Sequence, residues 1–174
     1  MKLNLKAAAL SVLAIAPVFL SAGIASAQTQ PATRGMEGSY LGGGASVGFS
    51  GDAVDNDANV GGHVQGRLDI PDAPVSVRGS ALIQDSVALV PTVTFDLGVA
   101  RNTNLYLGAG YSFVTDEGKT SLLGNQNSVV LNAGVETAVH RNVAIYSDVK
   151  VGLDGVENSN RTPVAVQVGA AYRF

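Results

Sequence analysis

The chain has 174 residues, of which 14% are charged and 46% hydrophobic, with 21 glycines and no cysteine. Soluble domains carry about 25% charged residues, so this composition argues against an ordinary soluble fold, and the lack of cysteine removes disulfides and thiolate metal sites. The formal net charge of −3 offers no basic surface, so no nucleic-acid partner is expected.

The chain opens with Lys2 and Lys6, an apolar run from Ala7 to Leu20, and the small-x-small sequence Ala25-Ser26-Ala27. This is the pattern of a cleaved secretory signal peptide over residues 1–27. Pro17 inside the run and the well-formed cleavage sequence argue against a retained anchor. Loss of Lys2 and Lys6 leaves 9 basic against 14 acidic residues, which makes the mature chain more acidic. Residues 28–38 form a short polar leader, expected in the periplasm, and no later stretch is apolar for long enough to form a spanning helix.

From residue 39 onward the hydrophobic period is two, the signal of strands. The first segment places Leu41, Gly43, Ala45, Val47 and Phe49 on one face. The second alternates Val60, Gly62, Val64, Gly66, Leu68 and Ile70 with Gly61, His63, Gln65, Arg67 and Asp69. In the third, Val75, Val77, Gly79, Ala81 and Ile83 oppose Ser76, Arg78 and Ser80. In the fourth, Val87, Leu89, Pro91, Val93, Phe95 and Leu97 oppose Thr92, Thr94 and Asp96. The fifth sets Leu105, Leu107, Ala109, Tyr111 and Phe113 against Tyr106, Gly108, Gly110 and Ser112. The sixth sets Val129, Leu131, Ala133 and Val135 against Asn132, Gly134 and Glu136. The seventh sets Val143, Ile145, Val149 and Val151 against Tyr146, Asp148, Lys150 and Gly152. The eighth sets Val164, Val166, Val168, Ala170, Tyr172 and Phe174 against Gln167, Gly169 and Arg173.

Eight strands of about nine to eleven residues each suit tilted crossings of a hydrocarbon layer. Residues 71–74, 98–103 and 139–142 read as short turns, whereas 51–59, 115–127 and 154–162 read as longer polar loops, with 84–86 the exception. Short turns at one end and longer loops at the other fit an outer-membrane barrel, the turns facing the periplasm. Two of the turns share a sequence, "RNTNLY" from Arg101 and "RNVAIY" from Arg141. We read this as common turn chemistry, asparagine tolerating the left-handed conformation, rather than as a duplication.

Alternation alone does not say which face is outside, because a soluble lipocalin-like calyx also has eight strands but points its apolar face inward. The aromatic residues favour an apolar exterior. Phe49, Tyr111 and Phe113 fall at the loop ends of their strands, and Phe95, Tyr172 and Phe174 at or near the turn ends, which makes two interfacial belts. Tyr40, Tyr106 and Tyr146 lie on the polar face and are expected to plug the turn-side mouth or reach its rim. The polar face also balances Arg67, Arg78, Lys150 and Arg173 against Asp69, Asp96, Glu136 and Asp148. Inside a narrow barrel such a balance is required, because a buried unpaired charge is very costly.

The ending adds a motif. Gln167, Gly169, Tyr172 and the terminal Phe174 read polar, x, Gly, x, x, aromatic, x, aromatic. This resembles the C-terminal signal recognised by the outer-membrane barrel assembly machinery. Residues 39–174 resemble the small eight-stranded outer-membrane barrels of the OmpA transmembrane-domain, OmpX and opacity-protein type. The resemblance implies an all-β, closed, antiparallel up-and-down barrel in the outer membrane of a Gram-negative cell. It implies partners in outer-membrane lipids, lipopolysaccharide and the assembly machinery, and leaves room for an extracellular ligand at the loops. No cofactor is expected. The role it implies is non-enzymatic, structural or surface-interacting, with an ion-paired interior plug; a small channel is the alternative.

Two other groups of residues bear on chemistry. His63, Asp85 and Ser86 near the outer rim are similar to the set in the lipid A palmitoyltransferase barrel. That family, however, places an amphipathic helix ahead of its barrel, which this sequence does not show. The His-x-Ser pattern of the lipid A deacylase barrel is also missing, since Val64 and Gln65 follow His63, and Arg141 and Asn142 follow His140. No catalytic residue is therefore expected. In the first loop Asp55, Asp57 and Asn59 alternate as in an EF-hand, but Val60 stands where glycine is needed and Gly66 where the bidentate Glu belongs. No metal site is expected there; weak divalent bridging to lipopolysaccharide phosphates stays open.

Overall fold

The eight alternating segments pair in sequence order and close on themselves. A computed structural model describes residues 35–49, 58–116, 119–153, 155–156 and 162–174. The signal-peptide pattern, most of the leader, and Asp55 and Asp57 of the first loop lie outside the described residues. The strands are β1 (Tyr40–Phe49), β2 (Ala58–Asp69), β3 (Val75–Ile83), β4 (Val87–Ala100), β5 (Thr103–Val114), β6 (Ser128–His140), β7 (Val143–Leu153) and β8 (Val164–Arg173). Each is antiparallel to its neighbours, and β1 pairs with β8 from Tyr40↔Arg173 to Phe49↔Val164 to complete a closed barrel. Closure leaves no free sheet edge, so neighbouring strands pair all round the wall without water.

The pleat sends one set of side chains out and the other in. Val60, Leu68, Val93, Phe95, Leu107, Val168 and Tyr172 are all more than half exposed, while Gln65, Arg67, Arg78, Glu136, Asp148 and Lys150 are almost wholly buried. An apolar band running right round the wall far exceeds the isolated patches of soluble monomers. The exterior is therefore the apolar face, opposite to a calyx. Of the belt residues, Phe95, Tyr111, Phe113, Tyr172 and Phe174 are exposed on this face and Phe49 is half-buried. The Tyr111 and Phe113 rings touch, their centroids 5.0 Å apart.

The turn end departs from the expected boundaries in an instructive way. Two of its three connections are only two residues long, Arg101-Asn102 and Arg141-Asn142, because β4 runs on to Ala100 and β6 to His140. Each incoming strand carries a register irregularity, between Gly98 and Ala100 and between Ala138 and His140. A bulge of this kind inserts one residue and shifts the alternation, which is why period two fades before the strand stops. Neither asparagine is left-handed; among the described non-glycine residues only Asp72 has positive φ, at 61°. The bulges, not left-handed asparagines, accommodate these two turns. Asp72 follows Pro71, and Ala73 N donates to Ile70 O at 3.2 Å, the residue pattern of a type II turn. At the other end β2 starts at Ala58, so Asn59 lies in a strand rather than in a cation-binding loop.

Candidate functional site

The inward-facing side chains form a polar filling in two connected layers. Near the turn end, Arg67 reaches Asp69 (2.7 Å), Asp96 (2.8 Å) and Glu136 (3.3 Å). Arg78 reaches Asp96 (3.0 Å) and Glu136 (2.7 Å). Arg78 also donates to the Tyr40 hydroxyl at 2.9 Å and to Thr94 Oγ1 at 2.9 Å, and its guanidinium lies 3.7 Å over the Tyr106 ring. Glu136 further accepts from the Tyr40 hydroxyl (3.1 Å) and from Asn104 Nδ2 (3.0 Å). Ser76 Oγ donates to Asp96 at 2.7 Å. Five of the eight charges on the polar face thus sit in one cluster, contributed by β2, β3, β4 and β6.

The second layer is built around Lys150, whose Nζ donates to Asp148 (2.8 Å), Gln167 (2.6 Å) and Gln65 (3.2 Å). All three ammonium hydrogens have an acceptor, which meets the requirement for burying a cation. Gln65 joins the layers through Nε2 to the Tyr40 hydroxyl at 3.3 Å. The Tyr106 hydroxyl donates to Asp148 at 2.9 Å. Tyr40, Tyr106 and Tyr146 are therefore fully buried members of the filling and do not form a rim. Tyr40 and Tyr146 stack with centroids 5.8 Å apart.

Arg173 stands apart from the other seven charges. Its Nη1 and Nη2 donate to the carbonyls of Arg141 (3.2 Å) and Glu37 (2.6 Å), with no carboxylate among its described partners. It serves a clasp that the sequence did not reveal. Residues Gly35 to Ser39 cross the turn-side mouth, and Met36 is buried there. Asn104 accepts from Met36 N (2.9 Å) and donates to Met36 O (2.7 Å), while Arg67 Nη1 also donates to Met36 O at 3.1 Å. Gly38 N donates to Asp69 at 2.9 Å. Gly35 and Gly38 both have positive φ, 112° and 90°, which lets the segment fold back over the mouth. Phe174 N donates to Ser39 O at 3.1 Å, so the clasp also ties down the chain terminus.

The loop-side mouth is closed differently. The loop read as polar, 115–127, tucks Leu122 and Leu123 into the barrel at 1% and 0% exposure. They cluster with the inward-facing Leu82, Ala88, Val90, Val130 and Ala165. A turn bonded from Ser121 N to Gly124 O (2.8 Å) holds them, and Asn125 N donates to Gly155 O at 3.1 Å. The outer part of the interior is thus apolar, although it belongs to the face assigned as polar.

His63 and Ser86 are engaged elsewhere. The two ring nitrogens of His63 bond Ser46 Oγ and the Tyr146 hydroxyl, each at 2.8 Å. Ser86 Oγ accepts from Asp116 N at 3.3 Å, and Asp85 is exposed. The structure gives no His–Asp–Ser relay. Ser46, Asn104, Met36 and the Leu122–Leu123 pair are the positions that sequence reasoning missed. Inward parity on β1 and β5 could have marked Ser46 and Asn104.

Among solved structures, the barrel of the Yersinia pestis attachment invasion locus protein Ail, in complex with the heparin analogue sucrose octasulfate, is similar at 17% identity and a TM-score of 0.53, covering 80% of this chain and all (100%) of that one. Neisserial surface protein A is similar at 18% identity and a TM-score of 0.56, covering 79% of this chain and 98% of that one. At such identities the likeness is one of fold. No curated protein matches the sequence. The model of the outer membrane protein beta-barrel domain matches residues 17–174. The chain is therefore a member of the outer membrane protein β-barrel domain family, an eight-stranded barrel of the Gram-negative outer membrane.

Proposed function

We propose that the protein is a non-enzymatic barrel with a structural or surface-interaction role, its interior plugged rather than open. The observation that carries this reading is the continuous interior filling. Arg67, Arg78 and Lys150 are all buried and paired, and the Met36 clasp and the Leu122–Leu123 lid lie at opposite ends. An eight-stranded barrel is narrow enough for side chains to fill. Planar-bilayer recording of the refolded protein tests the plug: the expected result is no steady conductance. Reproducible unitary steps that change with substitution of Lys150 or Asp148 would establish the small-channel reading instead.

Export through a cleaved signal peptide and insertion by the barrel assembly machinery complete the proposal. Gln167, Gly169, Tyr172 and Phe174 are its assembly signal, and lipopolysaccharide and outer-membrane lipids surround the belts. Deleting Phe174 is expected to reduce membrane insertion more than any loop substitution does, as measured by the heat-shifted fraction in isolated outer membranes. A normal folded fraction would remove the terminal signal from this account. Any surface interaction falls to the loops, since binding residues concentrate on loops held by a rigid scaffold.

A further inference from the structure

The turn end holds three arginines that the ion-paired filling does not use. Arg101 and Arg141 open the two-residue turns between β4 and β5 and between β6 and β7, and both are exposed. Among the described residues neither guanidinium has a hydrogen-bond or ion-pair partner. Arg173 lies beside Arg141, donating to its carbonyl at 3.2 Å, and its buried Nε has no acceptor. Segments 98–103, 139–142 and 172–174 contain no Asp or Glu. Asp69 and Asp72 belong to the β2–β3 connection, across the mouth. Among the described residues, neither the Glu37 carboxylate nor the terminal carboxylate of Phe174 forms an ion pair with any of the three. An arc of uncompensated positive charge thus runs along the turn end from β4 to β8.

The shared "RN" of the two turns gives the arc its geometry. In each, the asparagine carbonyl accepts from the backbone of the adjacent strand, Asn102 O from Ala138 N and Asn142 O from Arg173 N, both at 2.9 Å. The asparagines tie the turns to the wall and the arginines ahead of them are left outside it. Adjacent strands lie about 4.8 Å apart, so two neighbouring hairpin turns stand about 10 Å apart around the wall. Long side chains from both can meet at one group between them. Their height is that of lipid headgroups. Leu97, Val139, Tyr172 and Phe174, the outward residues nearest these arginines in the chain, are all more than half exposed. Aromatic residues of such a belt sit at headgroup level, and arginines beside them keep their stems on apolar surface and their charge in the polar layer.

We propose that Arg101 and Arg141, backed by the charge of Arg173, form a binding site for the phosphate of an anionic phospholipid in the leaflet around the turns. A guanidinium grips phosphate through two parallel N–H donors, and the forks of the two turns approach one headgroup from both sides. The charge of the opposite end decides the lipid class. Segments 51–59, 84–86, 115–127 and 154–162 carry eight acidic residues against Lys119 and Arg161. That field disfavours a phosphorylated glycolipid around the loops, so phosphate binding falls to the turn end and to the phospholipid leaflet. The proposal rests on the outer-membrane setting with the turns on the phospholipid side, and it holds whether or not the interior conducts.

Native mass spectrometry of the full barrel in detergent, titrated with phosphatidylglycerol or phosphatidylcholine, tests the site. The parent is expected to prefer phosphatidylglycerol. Arg101→Gln/Arg141→Gln is expected to bind it about 25-fold more weakly, about fivefold for each arginine lost near an anionic headgroup. Lys119→Gln, which removes an exposed cation at the loop end, is expected to change nothing. Equal phosphatidylglycerol binding by the parent and the double variant overturns the proposal, as does an equal loss in Lys119→Gln. Should the double variant fail to fold, the two single variants decide the matter, each with an expected loss of about fivefold. The lipid source is read in outer membranes, where a photo-crosslinking residue replacing the exposed Asn102 is expected to capture phospholipid. Capture of lipid A, or of no lipid, overturns the assignment. Heat shift and conductance of the same samples report the plugged barrel separately, so a lost lipid preference in an intact, non-conducting barrel counts against this site alone.

Discussion

Replacing Glu136 by Ala is expected to destabilise the barrel by about 3–5 kcal/mol, the cost of breaking a buried ion pair from one side. Glu136 receives Arg78 through both terminal nitrogens, at 2.7 and 3.1 Å, as well as the Tyr40 hydroxyl and Asn104. Its loss strips carboxylate charge from two buried guanidiniums at once. Arg78 keeps Asp96 at 3.0 Å, and Arg67 keeps Asp69 and Asp96, so collapse of the whole cluster is not expected. The excess of positive charge is what costs. Glu136→Gln should restore part of the loss, because its amide oxygen still accepts hydrogen bonds while the charge stays missing. Urea unfolding in micelles, followed by tryptophan-free far-ultraviolet dichroism or by the heat-shift gel, reads both variants. A Glu136→Ala midpoint equal to that of the parent would mean that the cluster does not contribute to stability.

The second large effect is expected at the seam where the barrel closes. An ideal Cβ on Gly44 would stand 2.0 Å from Val168 O and 2.6 Å from Gly169 Cα on β8. Both are backbone atoms, fixed by the β1–β8 ladder, so no rotamer change relieves the contact. Gly44→Ala must therefore push the two closing strands apart. Overpacking a well-packed site typically costs 1–3 kcal/mol, and more where the backbone has to move. The control lies in the same barrel: Gly79 has nothing within 4 Å of its Cβ position. Gly79→Ala is expected to leave the folded fraction unchanged or slightly raised, since the unfolded chain loses freedom. Refolding yields of the two variants, compared side by side, separate a seam effect from a general intolerance of alanine in strands. Equal yields would show that β1 and β8 can adjust.

Much of this architecture is legible in the order of residues. Alternation such as Val75-Ser76-Val77-Arg78 needs only the pleat to sort side chains onto two faces. A one-residue slip would put Arg78 or Lys150 into lipid, so the register is strongly specified. The aromatic placement and the charge balance of the polar face then select an apolar exterior over an apolar interior. Pairing of charges is less legible. Arg173 has the same parity as Arg67 and shares its register partner Tyr40, yet it bonds the Glu37 and Arg141 carbonyls, because parity and register do not determine which groups the end of a long side chain reaches.

The sequence by itself determined the strands and the sorting of their side chains onto two faces, because both follow from local periodicity, and its aromatic placement and charge balance favoured an apolar exterior; the closed barrel in the outer membrane is what the resemblance of its ending and strand pattern to small outer-membrane barrels implied. Only the tertiary structure decided which carboxylate each cation meets, since those partners come together from strands far apart in the chain, as with Arg78 and Glu136. It also decided how the mouths are closed. Met36 and the Leu122–Leu123 pair sit in non-periodic segments, where no repeat indicates burial, and they are buried because a closed barrel end offers them apolar or hydrogen-bonding surface that the linear sequence does not display.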